Sequence, residues 1–121
     1  MQPKKILIAE DEPLLLKVLE MRLKKEGYHV ILSIDGKEAL DQIILECPDL
    51  VIIDFMMPYY SGLEVLVEIR QQLKLSTPVI ILSAMEQEDI KTNALNLGAN
   101  DYILKPFNPG ELLQRIKQLT G

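Results

Sequence analysis

Four places in this chain pair chemically useful side chains with a preceding run of apolar residues. Glu10 and Asp11 follow Ile6–Ala9, Asp54 follows Leu50–Ile53, Ser83 follows Val79–Leu82, and Lys105 follows Tyr102–Leu104. Carboxylates gathered at one point repel one another unless a cation sits among them. Glu10, Asp11 and Asp54 offer hard oxygen ligands, which suit Mg²⁺ better than zinc. A carboxylate beside Mg²⁺ can itself be the nucleophile toward a phosphoryl group, giving an aspartyl phosphate. Lys105 would supply a point charge to the phosphoryl oxygens, and the Ser83 hydroxyl a hydrogen bond. Phosphoryl transfer asks mainly for positioning and charge neutralisation, and these groups offer both.

Such convergence requires elements that bring the four places together. The runs Ile6–Ala9, Leu50–Ile53 and Val79–Leu82 are continuous and rich in β-branched residues, as in strands covered on both faces of a parallel sheet. Tyr28–Ser33 carries a polar member on each face and suits a sheet edge, and Tyr102–Leu104 is a shorter fifth strand. Between them lie apolar stripes at helical spacing. These are Leu15/Leu16/Leu19/Leu23, Ala39/Leu40/Ile43/Ile44, Leu63/Leu66/Ile69/Leu73, Ile90/Ala94/Leu97 and Leu112/Leu113/Ile116/Leu119. Gly27 and Gly98 follow helical stretches as C-cap glycines do, and Asn108-Pro109 reads as an N-cap followed by proline at the first helical position. Five strands alternating with five helices imply an α/β sandwich around a parallel sheet. In open parallel sheets the ligand site lies at the carboxyl ends of the strands, where the four places fall.

Composition narrows the alternatives. The chain has 121 residues, 48% hydrophobic and 26% charged, with a net charge of −5. One domain over residues 1–121 is expected. Cys47 is the only cysteine and His29 the only histidine. No internal disulfide can form, and a Cys/His zinc site is excluded. Acidic balance argues against direct nucleic-acid binding through phosphates. No segment approaches the ~20 apolar residues of a membrane span, so a soluble cytoplasmic protein with no membrane partner is expected. The six glycines make neither GxGxxG nor GxxxxGK[ST], which excludes a dinucleotide fold and a P-loop at motif level. A Mg²⁺-dependent phosphatase using Asp54 as nucleophile is the competing enzymatic reading. Such enzymes of the haloacid-dehalogenase type usually carry a second Asp two positions on, where this chain has Met56. Glu12 reads as an acidic first-turn residue, His29 as a surface residue, and Cys47 as a packing residue near a helix end.

Taken in order, Glu10-Asp11, Asp54–Pro58, Ser83-Ala84 and Gly98–Phe107 make the chain resemble a response-regulator receiver domain of two-component signalling, similar to the stand-alone chemotaxis regulator. The resemblance covers essentially the whole chain. It implies a flavodoxin-like, doubly wound sheet of five parallel strands in the order 2-1-3-4-5 with five helices. It makes Asp54 the phospho-acceptor (a 4-aspartylphosphate), Asp11 a direct Mg²⁺ ligand, Glu10 a second acid acting through water, and the Met56 backbone carbonyl a further ligand. Lys105 would pair with the phosphoryl group, with a cis bond to Pro106, and Ser83 and Tyr102 would form the switch pair. The implied function is phosphorylation-controlled signalling rather than turnover of a separate substrate. A sensor histidine kinase or phosphotransfer protein would donate to Asp54, changing the surface of helix 4, strand 5 and helix 5. A downstream output protein, an output domain beyond Gly121, or a second phosphorylated copy would read that surface. A module that no longer takes phosphate is the third alternative. One departure is visible: Tyr60-Ser61-Gly62 stands where many relatives have Met-Asp-Gly, which leaves Tyr59 and Tyr60 adjacent in the loop after Asp54.

Overall fold

The computed structural model describes residues 2–121. Strand β1 (Lys5–Ala9) leads into α1 (Pro13–Lys25), β2 (His29–Ser33), α2 (Gly36–Glu46), β3 (Leu50–Asp54) and α3 (Gly62–Val67). The last helix continues as a π-helical turn, Glu68–Gln72. Then follow β4 (Val79–Ser83), α4 (Glu88–Asn96), β5 (Asp101–Leu104) and α5 (Pro109–Thr120). All neighbouring strands are parallel, in the order β2-β1-β3-β4-β5. This is the flavodoxin-like arrangement with five helices, and the half-polar β2 lies at an edge.

Alternation along each strand divides the apolar side chains between two cores. Leu7, Ala9, Val51, Ile53, Val79, Ile81 and Tyr102 pack under α2, α3 and α4. Ile6, Ile8, Leu50, Ile52, Ile80, Leu82 and Ile103 pack under α1 and α5. Central strands β3 and β4 are buried along their whole length, which explains their unbroken β-branched runs. Ile44 departs from expectation. Its spacing assigns it to the α2 stripe, yet it is 60% exposed. The apolar arc of Ala39, Leu40, Ile43 and Ile44 is wider than the sheet can cover.

Local chemistry places the helix starts. The Asp35 carboxylate accepts the Glu38 N–H at 2.7 Å and caps α2. Asn108 Oδ1 accepts the Gly110 N–H at 2.8 Å, with Pro109 next to it. Ser61 and Glu64 form a reciprocal capping box at α3, Ser61 Oγ accepting the Glu64 N–H and Glu64 accepting the Ser61 N–H. Gly27 and Gly98 take φ of 92° and 113° after α1 and α4. Two expectations fail locally. Glu12 is the N-cap of α1 rather than a first-turn residue, because Pro13 takes the first helical position. Cys47 is exposed and ends α2 with φ of 48°, so it caps rather than packs.

Candidate functional site

Parallel register sets the site. Asp54 is level with Leu82 across β3/β4, and Ser83 with Leu104 across β4/β5. Consequently Asp54, Ser83 and Lys105 all reach the carboxyl edge of the sheet. Glu10 and Asp11 leave β1 at the same edge, and the Glu10 N–H bonds the Ser33 carbonyl at 3.1 Å. Carboxylate oxygens of Glu10, Asp11 and Asp54 lie within 4.8 Å of one another. Glu10 is wholly buried, Asp54 is nearly so, and Asp11 faces solvent.

Lys105 ties this cluster together. Its ammonium donates to Glu10 Oε1 at 2.8 Å and to Asp54 Oδ2 at 3.0 Å. Burial works against that ammonium, but its bonds to the two carboxylates and their charges outweigh burial and raise its pKa. Burial pushes the Glu10 carboxyl up to about 7, and Asp54 adds to the rise. Hydrogen bonds from Lys105 and the Glu12 N–H oppose it only in part. Three carboxylates facing one ammonium leave the site two negative charges in excess when all are ionised. A hard divalent cation fits that donor set. The peptide bond between Lys105 and Pro106 is cis.

Beside this cluster, one residue, Met85, connects the two residues read as a switch. Ser83 is buried, and its Oγ accepts the Met85 N–H at 2.9 Å. The carbonyl of the same Met85 accepts the Tyr102 hydroxyl at 2.8 Å. Tyr102 is only 6% exposed, so its ring already lies inside the core and its hydroxyl is bonded to backbone rather than water. Met56 and Met85 flank Asp54 and the Ser83 hydroxyl; Met56 is 64% exposed and Met85 half-buried. The Met56 N–H faces Asp54 Oδ1 at 3.4 Å.

The loop after Asp54 is tightly wound. The Tyr60 N–H bonds the Pro58 carbonyl at 2.9 Å, and Tyr59 between them has φ of 68°. That is a γ-turn, strained for a side chain as bulky as Tyr. Gly36 lets this loop lie against α2: its N–H bonds the Pro58 carbonyl at 3.1 Å, and a Cβ there would collide with the Tyr60 carbonyl oxygen. Sequence reasoning missed this contact. It gave Gly36 no role, although a glycine at the start of a helix was a usable signal.

With this geometry, residues 6–117 match the family described as response regulator receiver domain. The chain belongs to that family. Its likeness to the alkaline phosphatase synthesis transcriptional regulatory protein PhoP of Bacillus subtilis is 43% identity over 116 residues, covering 96% of this chain and 48% of that protein. The chain thus spans about half the length of that curated relative. The receiver domain of Francisella response regulator 1452 superposes with a TM-score of 0.93 at 37% identity, over 97% of this chain and 96% of that one. The BeF3-activated N-terminal receiver domain of Klebsiella pneumoniae RstA gives 0.90 at 31% identity, over 97% and 98%. In this family setting, the Glu10/Asp11/Asp54 cluster is poised for a divalent metal and a phosphoryl group, in keeping with signalling by aspartate phosphorylation. Such a domain acts on its own aspartate rather than turning over a separate substrate. Among the described residues no helix is long and apolar enough to cross a membrane.

Proposed function

We propose that this chain accepts a phosphoryl group on Asp54 from the phosphohistidine of a sensor kinase or phosphotransfer protein. A carboxylate oxygen of Asp54 forms the new P–O bond as the P–N bond breaks, and the departing imidazole takes up a proton. Asp11, Asp54 and the Met56 carbonyl would hold Mg²⁺, with Glu10 acting through water. When bound, the ion would neutralise charge on the carboxylates and on the phosphoryl oxygens. The observation that carries the reading is the Lys105 ammonium at 2.8 and 3.0 Å from Glu10 and Asp54. It holds the Asp54 carboxylate in place before transfer and offers its charge to the phosphoryl oxygens afterwards.

The two backbone bonds of Met85 support a route outward. Ser83 Oγ accepts from the Met85 N–H, which leaves its own proton to donate toward a phosphoryl oxygen. Drawing Ser83 inward moves Met85, and with it the anchor of the Tyr102 hydroxyl. The face formed by α4, β5 and α5 then changes. It carries an open groove of about 440 Å³ lined in part by Glu86, Lys91, Tyr102, Phe107 and Arg115. An output domain, a separate output protein or a second copy would dock there.

Incubation with acetyl phosphate and Mg²⁺ tests the reading. One phosphoryl group, labile to hydroxylamine, is expected on the parent and none on Asp54→Asn. Equal labelling of that variant would place the acceptor elsewhere.

A further inference from the structure

The two ends of α4 are held very differently. At its start, Gln87 is an N-cap without a side-chain hydrogen bond, and the Ile90 and Lys91 amides bond its carbonyl at 3.2 and 3.3 Å. Only Ala94 of the helix is fully buried. At its end the chain is clamped. The Ala99 N–H bonds the Ala94 carbonyl at 3.1 Å, and the Asn100 N–H bonds the Val79 carbonyl at 2.8 Å. Asn100 Oδ1 accepts the Val79 N–H at 2.9 Å in return.

Arg70 completes the clamp from another element. It lies on the π-helical turn after α3. Its Nε and Nη2 both donate to the Gly98 carbonyl, at 3.1 and 2.9 Å. Nη2 also reaches Asn100 Oδ1 at 3.0 Å, and Nη1 the Leu75 carbonyl at 2.8 Å. A planar guanidinium can serve three acceptors at fixed angles in this way, whereas an ammonium cannot. Gly98 is matched to it. Its φ of 113° suits glycine, and a Cβ there would sit 2.9 Å from Arg70 Nε.

We infer that Arg70 is a positioning residue that pins the C-terminal end of α4, so that switching swings this helix about Gly98. The inference rests on the Ser83–Met85 switch described above. Movement reaches α4 from Met85, three residues before its loosely held start. The clamp denies the same movement to its end, so displacement grows from Gly98 toward Glu88. Residues near the start of α4, such as Glu88 and Lys91, therefore move most, and both line the groove toward α5.

Amide hydrogen exchange with and without beryllofluoride and Mg²⁺ reads this directly. In the parent, the ligand should change exchange at residues 84–92 while residues 97–100 stay within about twofold. Arg70→Met and Arg70→Lys should both speed exchange at residues 97–100, by roughly ten- to a hundredfold for lost charged hydrogen bonds. In both variants the ligand response should spread along the whole helix, with acetyl phosphate labelling of Asp54 unchanged. An even response along α4 in the parent overturns the pivot. So does a variant whose residues 97–100 loosen while the ligand response stays confined to the start, because Arg70 would then be merely structural. No ligand response anywhere in the parent overturns the switch reading itself.

Discussion

Raising the pH of the metal-free protein from 5 to 8 should destabilise it. The responsible group is Glu10, wholly buried at the end of β1, whose carboxyl is pushed from an ordinary 4.5 up to about 7 by burial and by Asp54. Between those values the folded protein keeps a proton on Glu10 that the unfolded chain has released. The folded state then binds more protons, so stability is full below about 4.5 and is lost as pH rises through about 7. At 1.36 kcal/mol per pH unit the loss is ~3 kcal/mol at most. For a domain of this size that corresponds to a fall in Tm of roughly 10 °C. Thermal melts in chelator at pH 5, 6, 7 and 8 would measure it. Saturating Mg²⁺ should flatten or reverse the trend, because metal binding favours the ionised carboxylates. Asp54→Asn should shrink the fall, since it removes a charge that raises Glu10. A Tm that is constant or climbs from pH 5 to 8 in chelator would refute the burial argument.

Three variants probe the loops around the site. Tyr59→Gly should stabilise the fold by about 1 kcal/mol, since it relieves a left-handed side chain that is 78% exposed, and urea unfolding would show it. Gly36→Ala should cost about 2 kcal/mol or more because its Cβ strikes the Tyr60 backbone, and a higher urea midpoint would contradict that contact. The double variant Met56→Asn/Met85→Glu should lose phosphate about tenfold faster, because neither methionine can orient an attacking water. Decay measured with saturating Mg²⁺ at the parent's rate would make both side chains bystanders.

The carboxyl edge was legible because burial on both faces of β3 and β4 leaves an unbroken apolar run, and the first polar residue after it marks the strand end. Asp54 and Ser83 are the last residues of their strands, and Glu10 and Lys105 stand one beyond theirs. The start of α5 was legible too, as Asn108 followed by Pro109. Contacts distant in sequence were not. Arg70 and Gly98 are 28 residues apart, and no local pattern joins them. The inward ring of Tyr102 depends on a carbonyl 17 residues earlier. Ile44 shows the limit of periodicity, which identifies a helix face but not how wide a stripe its neighbours can cover. Cys47 and Tyr59 hold positive φ that their residue types do not announce.

The partition of the sheet's side chains has a consequence for how such a domain can change over generations. Tyr102 belongs to the core beneath α2, α3 and α4, while its neighbour Ile103 belongs to the one beneath α1 and α5. In the proposed switch, the core around Tyr102 and α4 is therefore walled off by backbone from the core beneath α1 and α5. Substitutions that retune the first core leave the packing of the second intact. Changes around α4 can reshape the groove it shares with α5 while the packing beneath α1 and α5 keeps the strands in register.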